Sequence, residues 1–166
     1  NSAFLSWSAL SILEQGNPTD IREIPSIIGG DIEKRHGVVL AKSIPAKKYG
    51  IVTGEPIVHA MRKCPGLRIA EPDHALYHQR SKQLMEFLAN ICPDIEQVSI
   101  DECYMDFTPI QNQYASPIEA ACSIKDQVKE KFKFTVPKAI SSYTELAEMK
   151  KDGSIVSPVR CKWQPA

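Results

Sequence analysis

The chain has 166 residues, 43% of them apolar, and its 20 Lys and Arg balance 20 Asp and Glu for a formal net charge of zero. That length suits one ordinary domain, and the absence of any apolar run of ~18 residues or of a charged leader before an apolar run argues against a membrane span and a secretion signal, so a cytoplasmic protein is expected. The cysteines (Cys64, Cys92, Cys103, Cys122 and Cys161) are scattered and form no C-x-x-C pair, which speaks against a zinc site or a disulfide framework and for reduced thiols.

Residues 3–13 (AFLSWSALSIL) read as a buried helix, with Gly16 placed as its C-terminal stop. Residues 25–28 (PSII) and 38–41 (VVLA) are short and rich in β-branched side chains. They are predicted as two strands of a small sheet, separated by a charged stretch that starts at Gly29-Gly30-Asp31. Turn residues at Gly50 and Gly54-Glu55-Pro56 precede a short helix over Ile57–Lys63, which Pro65-Gly66 closes. A longer helix is capped by Pro72-Asp73, and Leu76, Leu84, Phe87 and Leu88 recur at helical spacing as far as Ile91.

Ile95–Ser99 and Cys103–Phe107 are predicted strands. In the second, Cys103, Met105 and Phe107 alternate with Tyr104, Asp106 and Thr108, which predicts one apolar and one polar face. Ser116-Pro117-Ile118-Glu119 has the form of a capping box, and the helix it opens carries Ile118, Ala121, Ile124 and Val128 as its apolar stripe. That helix ends near Phe132, and Phe134-Thr135-Val136 begins another strand. Strands and helices in this order predict an α+β fold, with helices on one face of a mixed sheet and a small subdomain before it.

Charge is distributed unevenly. Residues 31–72 hold eight Lys/Arg against four Asp/Glu, whereas residues 73–136 hold six against ten. A basic block beside an acidic one is compatible with gripping phosphate on one side and cations on the other, and it also arises without such a role. Within the acidic block lie the adjacent carboxylates Asp101 and Glu102. On a regular strand they would point to opposite faces, but where the chain turns both can lean toward one point and hold a hard divalent cation. Mg²⁺ suits so sparse a pair, because it takes one or two carboxylates and completes its shell with substrate phosphates. A solvated acidic turn is the other reading of the same two residues.

The context of that pair, Val98-Ser99-Ile100-Asp101-Glu102-Cys103-Tyr104-Met105-Asp106-Phe107-Thr108, resembles the palm hairpin motif of Y-family, or translesion, DNA polymerases. Three further segments are similar to that family in order and spacing. Asn1-Ser2-Ala3-Phe4-Leu5-Ser6 resembles its opening motif, Gly37 through Ile51 (GVVLAKSIPAKKYGI) its fingers segment, and Cys64-Pro65-Gly66-Leu67 followed by Tyr77 and Ser81 its return from fingers to palm. The likeness covers residues 1–136 in one register and is closest to the DNA polymerase IV/UmuC-like branch.

The resemblance implies a DNA-directed DNA polymerase of the lesion-bypass type, a nucleotidyltransferase working in DNA repair and damage tolerance. It implies a palm-type sheet plus a small fingers subdomain, with residues 1–72 fingers-like (including the start of the palm motif), 73–136 palm-like and 137–166 unassigned. Asp101 and Glu102 would be the catalytic, metal-binding carboxylates for two Mg²⁺ ions, with a third carboxylate just upstream of Asn1. Phe4 would be the steric gate beneath the sugar, although as a residue it reads equally as a core aromatic. Ser43 and Lys47 would bind the triphosphate, or else are a turn residue and a solvated charge. Primer–template DNA and deoxynucleoside triphosphates are the implied partners, with a sliding clamp reached through regions outside this chain.

Departures from the family pattern bear on these expectations. Ile44 stands where the family usually has Tyr, and Lys47 where it usually has Arg, which exchanges a bidentate fork for a point charge; Lys42 and Lys48 are nearby cations that could compensate. The chain opens inside the first motif, and after Val136 it lacks the family's Gly-Ile-Ser turn and Asn-Lys helix. It therefore reads as a piece of a longer enzyme, inactive by itself, or alternatively as a non-catalytic remnant that binds nucleotide or DNA.

Overall fold

The computed structural model describes residues 2–30, 37–134, 138–142 and 159–163. The chain divides into two compact units, Asn1–Tyr77 and His78–Ala166.

In the first unit, helix α1 (Ser2–Glu14) is followed by strands β1 (Ser26–Gly29) and β2 (Val39–Lys42), helices α2 (Ile44–Lys48) and α3 (Ile57–Lys63), and strand β3 (Arg68–Ala70). Helix α1 stops where expected. Gly16 takes φ +87°, and the Gly16 and Asn17 N–H groups donate to the carbonyls of Leu13 and Ile12. The sheet runs β2-β1-β3, with β1 antiparallel to β2 and parallel to β3. As the central strand, β1 is buried along its whole length.

Successive residues of β1 face opposite ways, and each finds its own core. Ile27 packs with Val39, Ala46, Ile51, Ile57, Ala60 and Cys64, whereas Ile28 packs with Leu5, Ala9, Ile21 and Ala41. Val39 and Ala41 are two apart on β2 and should share a face. The irregularity in pairing between Ile28 and Gly29 separates them, as an extra residue in one strand of a ladder does. Gly29 is closely packed: a Cβ there would lie 2.7 Å from the Ile57 Cδ1, which would have to move, and 3.1 Å from the Val38 carbonyl oxygen.

Helix α4 (His74–Ile91) starts in the first unit and continues into the second. Its start is set by Asp73, whose Oδ1 accepts the Leu76 N–H at 2.9 Å. Strands β4 (Ile95–Ser99) and β5 (Glu102–Asp106) form an antiparallel hairpin, followed by a 3₁₀ turn (Thr108–Gln113) and helix α5 (Pro117–Phe132). The cap forms with a shifted return bond: Ser116 Oγ accepts the Glu119 N–H at 3.1 Å, and Glu119 Oε2 accepts the N–H of Ala115, one residue before the cap, at 2.7 Å. Helices α4 and α5 meet edge to face through Phe87 and Phe132, 5.4 Å between centroids.

Two strands from the stretch after Val136, where the sequence suggests no element, complete this unit. Strands β6 (Lys138–Ser142) and β7 (Val159–Trp163) are parallel to each other, and β7 lies between β6 and β5 in a sheet ordered β4-β5-β7-β6. The fold is α+β with mixed sheets, as predicted. The strand expected from Phe134 to Val136 lies largely outside the described residues.

Two expectations are corrected. Tyr104 is only 7% exposed, so the face of β5 expected to be polar is covered at that position, while Asp106 and Thr108 remain part-exposed. Ile118 is 66% exposed and does not belong to the apolar stripe, which consists of Ala120, Ala121, Ile124 and Val128. At 3.6 residues per turn, position 118 is rotated about 120° from 124 and about 80° from 128, which puts it at the margin of the stripe in the helix's first turn.

Candidate metal and nucleotide sites

Asp101 sits with Ile100 in the two-residue turn of the β4–β5 hairpin, and Glu102 is the first residue of β5, paired with Ser99. Among the described residues only Lys133 outside glycine has a positive φ, so this turn is not of the primed type that matches strand twist. The misfit is taken up beside it, where the pairing is irregular between Gln97 and Ser99.

Asp101 is 5% exposed. Among the described residues its side-chain partner is the Ser99 hydroxyl, 3.3 Å from Oδ1. A carboxylate buried against one neutral hydroxyl is costly unless a cation balances it, so the residues present fit a bound metal ion. Glu102 is half-buried next to it. No group of three or more His, Cys, Asp or Glu gathers among the described residues, which leaves a two-carboxylate site of the kind Mg²⁺ accepts when phosphates supply the rest. Ser99 was not singled out in the sequence, although its place two residues before Asp101 was visible. Asp106 acts locally, through an Oδ1 that accepts from the Thr108 N–H and hydroxyl, at 3.0 and 2.6 Å, and starts the 3₁₀ turn.

Phe4, Ser43 and Lys47 belong to the first unit. Phe4, on α1, is half-buried and stacks on Tyr77, 4.6 Å between centroids and 14° between planes. Tyr77 is fully buried and is fixed from its other end by a 2.7 Å hydrogen bond between its hydroxyl and Ser8 Oγ, so the Phe4 ring rests on a rigid backing. Ser43 and Lys47 lie on one turn of chain. Lys47 is exposed on α2, and Ser43 is the N-cap of that helix.

The expectation that Ser43 touches triphosphate through its hydroxyl meets a physical obstacle. Ser43 is 1% exposed. Its Oγ accepts from Ala46 N–H at 3.1 Å and Ser26 N–H at 3.0 Å, and donates to the Ile24 carbonyl at 2.7 Å. A hydroxyl has one proton and two lone pairs, so this one is saturated. It ties α2 to β1, and the residues it leaves in the open are Ile44, 77% exposed, and Lys47 with Lys48.

The chain has the mixed α and β fold of Y-family DNA polymerases. DinB from Sulfolobus solfataricus superposes with a TM-score of 0.67 at 26% identity, over 94% of this chain and 46% of its own. An insertion ternary complex of Dbh DNA polymerase matches equally well, at 0.67 and 26%, over 96% of this chain and 46% of that one. The chain belongs to the impB/mucB/samB family, whose profile matches residues 6–152. The DNA polymerase IV of Clostridium acetobutylicum is 50% identical over 149 residues, 90% of this chain and 37% of the relative. That of Alkaliphilus oremlandii is 34% identical over 129 residues, 78% of this chain and 32% of the relative. The chain thus spans about a third of the length of these curated relatives. Among the described residues no helix is long and apolar enough to cross a membrane.

Proposed function

We propose that this chain carries the fingers and part of the palm of a lesion-bypass DNA polymerase, a nucleotidyltransferase that extends a primer on template DNA with deoxynucleoside triphosphates. The observation that carries the reading is Asp101, a buried carboxylate at a hairpin turn whose partner among the described residues is a neutral hydroxyl. Family membership and the half-identical DNA polymerase IV relative support it.

In this reading Asp101 and Glu102 hold Mg²⁺, and a pair of such ions would activate the primer hydroxyl and neutralise charge on the leaving pyrophosphate. The chain's own residues do the positioning. The Asp101 side chain is held at the turn by Ser99, so its oxygens are positioned before substrate arrives. Phe4, backed by Tyr77, is the ring that would exclude a ribose 2′-hydroxyl. Lys47 supplies positive charge for the triphosphate as a point charge. Ser43 acts one step back, by fixing the helix that carries Lys47. The first unit corresponds to the fingers with the start of the palm and the second to the palm; a sliding clamp, if used, binds elsewhere, and the reaction takes place in the cytoplasm.

The test is primer extension by the full-length protein with Mg²⁺. Changing Asp101→Ala together with Glu102→Ala abolishes extension while leaving DNA binding. Persistent extension by the double variant overturns the assignment, and a wild type that binds DNA without extending it favours the non-catalytic module.

A further inference from the structure

The same first unit contains an ion pair that the polymerase reading does not use. Glu55 lies in the turn before α3, and Lys63 is the last residue of α3. Lys63 Nζ is 2.6 Å from Glu55 Oε2 and also donates to the Gly50 carbonyl at 2.8 Å. The second Glu55 oxygen, Oε1, accepts the Val52 N–H at 2.9 Å. The Glu55 backbone is committed as well: its carbonyl accepts the Val39 N–H at 2.9 Å, while the neighbouring Gly54 N–H donates to the Val39 carbonyl at 2.8 Å. One residue therefore ties together the start of β2, the loop after α2 and the end of α3. The Glu55 side chain is 10% exposed and that of Lys63 37%, so the pair lies at the surface with its carboxylate end covered.

Helix α2 is the element held. Five residues cannot form a stable helix on their own, so its geometry is imposed from its two ends. The N-terminal end is pinned to β1 through the Ser43 hydroxyl. The C-terminal end runs through Tyr49 and Gly50, whose N–H groups bond to the Ala46 and Lys47 carbonyls, into the Gly50 carbonyl that Lys63 grips. Gly50 has φ +72°, a left-handed position that lets the chain leave the helix sharply enough to meet Lys63. Between the two pins, Ile44 and Lys47 are exposed.

We infer that Glu55 and Lys63 are positioning residues for nucleotide binding, a clasp that fixes the exposed face of α2, and with it Lys47, in the orientation that receives the triphosphate. This rests on the polymerase reading for its substrate, but the clasp itself is a property of the first unit alone. Releasing it frees the C-terminal end of α2 and lowers the fraction of time that Lys47 is correctly aimed, a loss felt in nucleotide affinity and not in the chemical step.

The experiment uses the full-length protein with Glu55→Gln, Lys63→Met, both together, and Lys63→Arg. Two quantities are read: steady-state primer extension against deoxynucleotide concentration, and amide hydrogen exchange at Tyr49 and Gly50. The expected result is a KM for nucleotide raised about fivefold, the factor that one net hydrogen bond corresponds to. With it, kcat stays unchanged, the double variant is no worse than either single one, Lys63→Arg restores KM, and exchange at Tyr49 and Gly50 is faster in the clasp-breaking variants. Unaltered exchange overturns the inference whether or not the protein is a polymerase. So does faster exchange with KM unchanged, or with kcat falling in step with a lowered melting temperature, since either leaves the clasp a structural feature only. Faster exchange in a protein whose wild type extends no primer would retire the polymerase reading and, with it, the nucleotide half of the inference.

Discussion

Replacing Ser43 with Ala separates a structural role from direct substrate contact. The hydroxyl serves the N–H groups of Ala46 and Ser26 and the carbonyl of Ile24, in surroundings where Ser26 and Ala46 are fully buried. Losing an N-cap side chain costs about 1 kcal/mol, which accounts for the Ala46 N–H. The Ser26 N–H has nothing to do with capping, and leaving it without that partner inside the protein adds about 1–3 kcal/mol. The sum, roughly 2–4 kcal/mol, is a large part of the ~5–15 kcal/mol by which domains are stable. For a chain of this size it lowers the melting temperature by roughly 4–16 °C. Thermal and urea denaturation of Ser43→Ala measure it, with nucleotide KM taken well below the melting range. A melting temperature unchanged within ~1 °C, together with a raised KM, would refute the reasoning, since the hydroxyl would then serve substrate and not β1 and α2.

Two other outcomes follow from the sites. Phe4→Ala removes the ring that stacks on Tyr77, and the full-length protein should then incorporate ribonucleotides; unchanged sugar selectivity would leave Phe4 as an ordinary core aromatic. The Glu55 carboxyl is held below the usual carboxylate range, first by its hydrogen bond from Lys63, against the opposing effect of burial, with smaller help from the Val52 N–H and the charges of Lys63 and His59. A depressed folded pKa means that its stabilisation is complete above the unfolded value and is lost as pH falls through the folded one. The melting-temperature gap between wild type and Glu55→Gln should accordingly be full at neutral pH and close in the acid range below the usual Glu pKa of ~4.3; a gap constant down to pH ~3 would count against the clasp.

The elements that could be read from the sequence carry their own start and stop signals. Helix α5 announces itself with Ser116 and Glu119, α4 with Asp73, α1 with Gly16, and each of these contacts forms. What could not be read depends on partners distant in the chain. Helix α2 has no local signal beyond Ser43 and Pro45, and it is held by Ser43's bonds to β1 and by Lys63. Strand β3 is three residues long and is ordered by pairing in parallel with β1. Strands β6 and β7 are parallel to each other and to β5, so no hairpin turn marks them, and no family motif could be read after Val136, although the family profile extends to residue 152. The Ile118 error came from extending a stripe by residue type one turn too far toward the N-terminus, where the helix has left its core.

For the acid pair, legibility had a different limit. Adjacent carboxylates and a hairpin were visible in the sequence, but alternation on a strand forbids two neighbours from sharing a direction. The structure removes that objection through position: Asp101 occupies the turn and only Glu102 belongs to the ladder. The pairing irregularity between Gln97 and Ser99 lies beside the turn and leaves Ser99 opposite Glu102, with its hydroxyl within reach of Asp101. A regular hairpin with a primed turn would place a glycine or asparagine here and expose it. Ile100-Asp101 satisfies neither preference, and Asp101 is nearly buried, so the turn keeps a residue that local stability would not select. A local conflict of this kind is expected where a site serves a purpose other than folding. It is the physical ground on which Asp101, and not merely an acidic dipeptide, is the residue to change first.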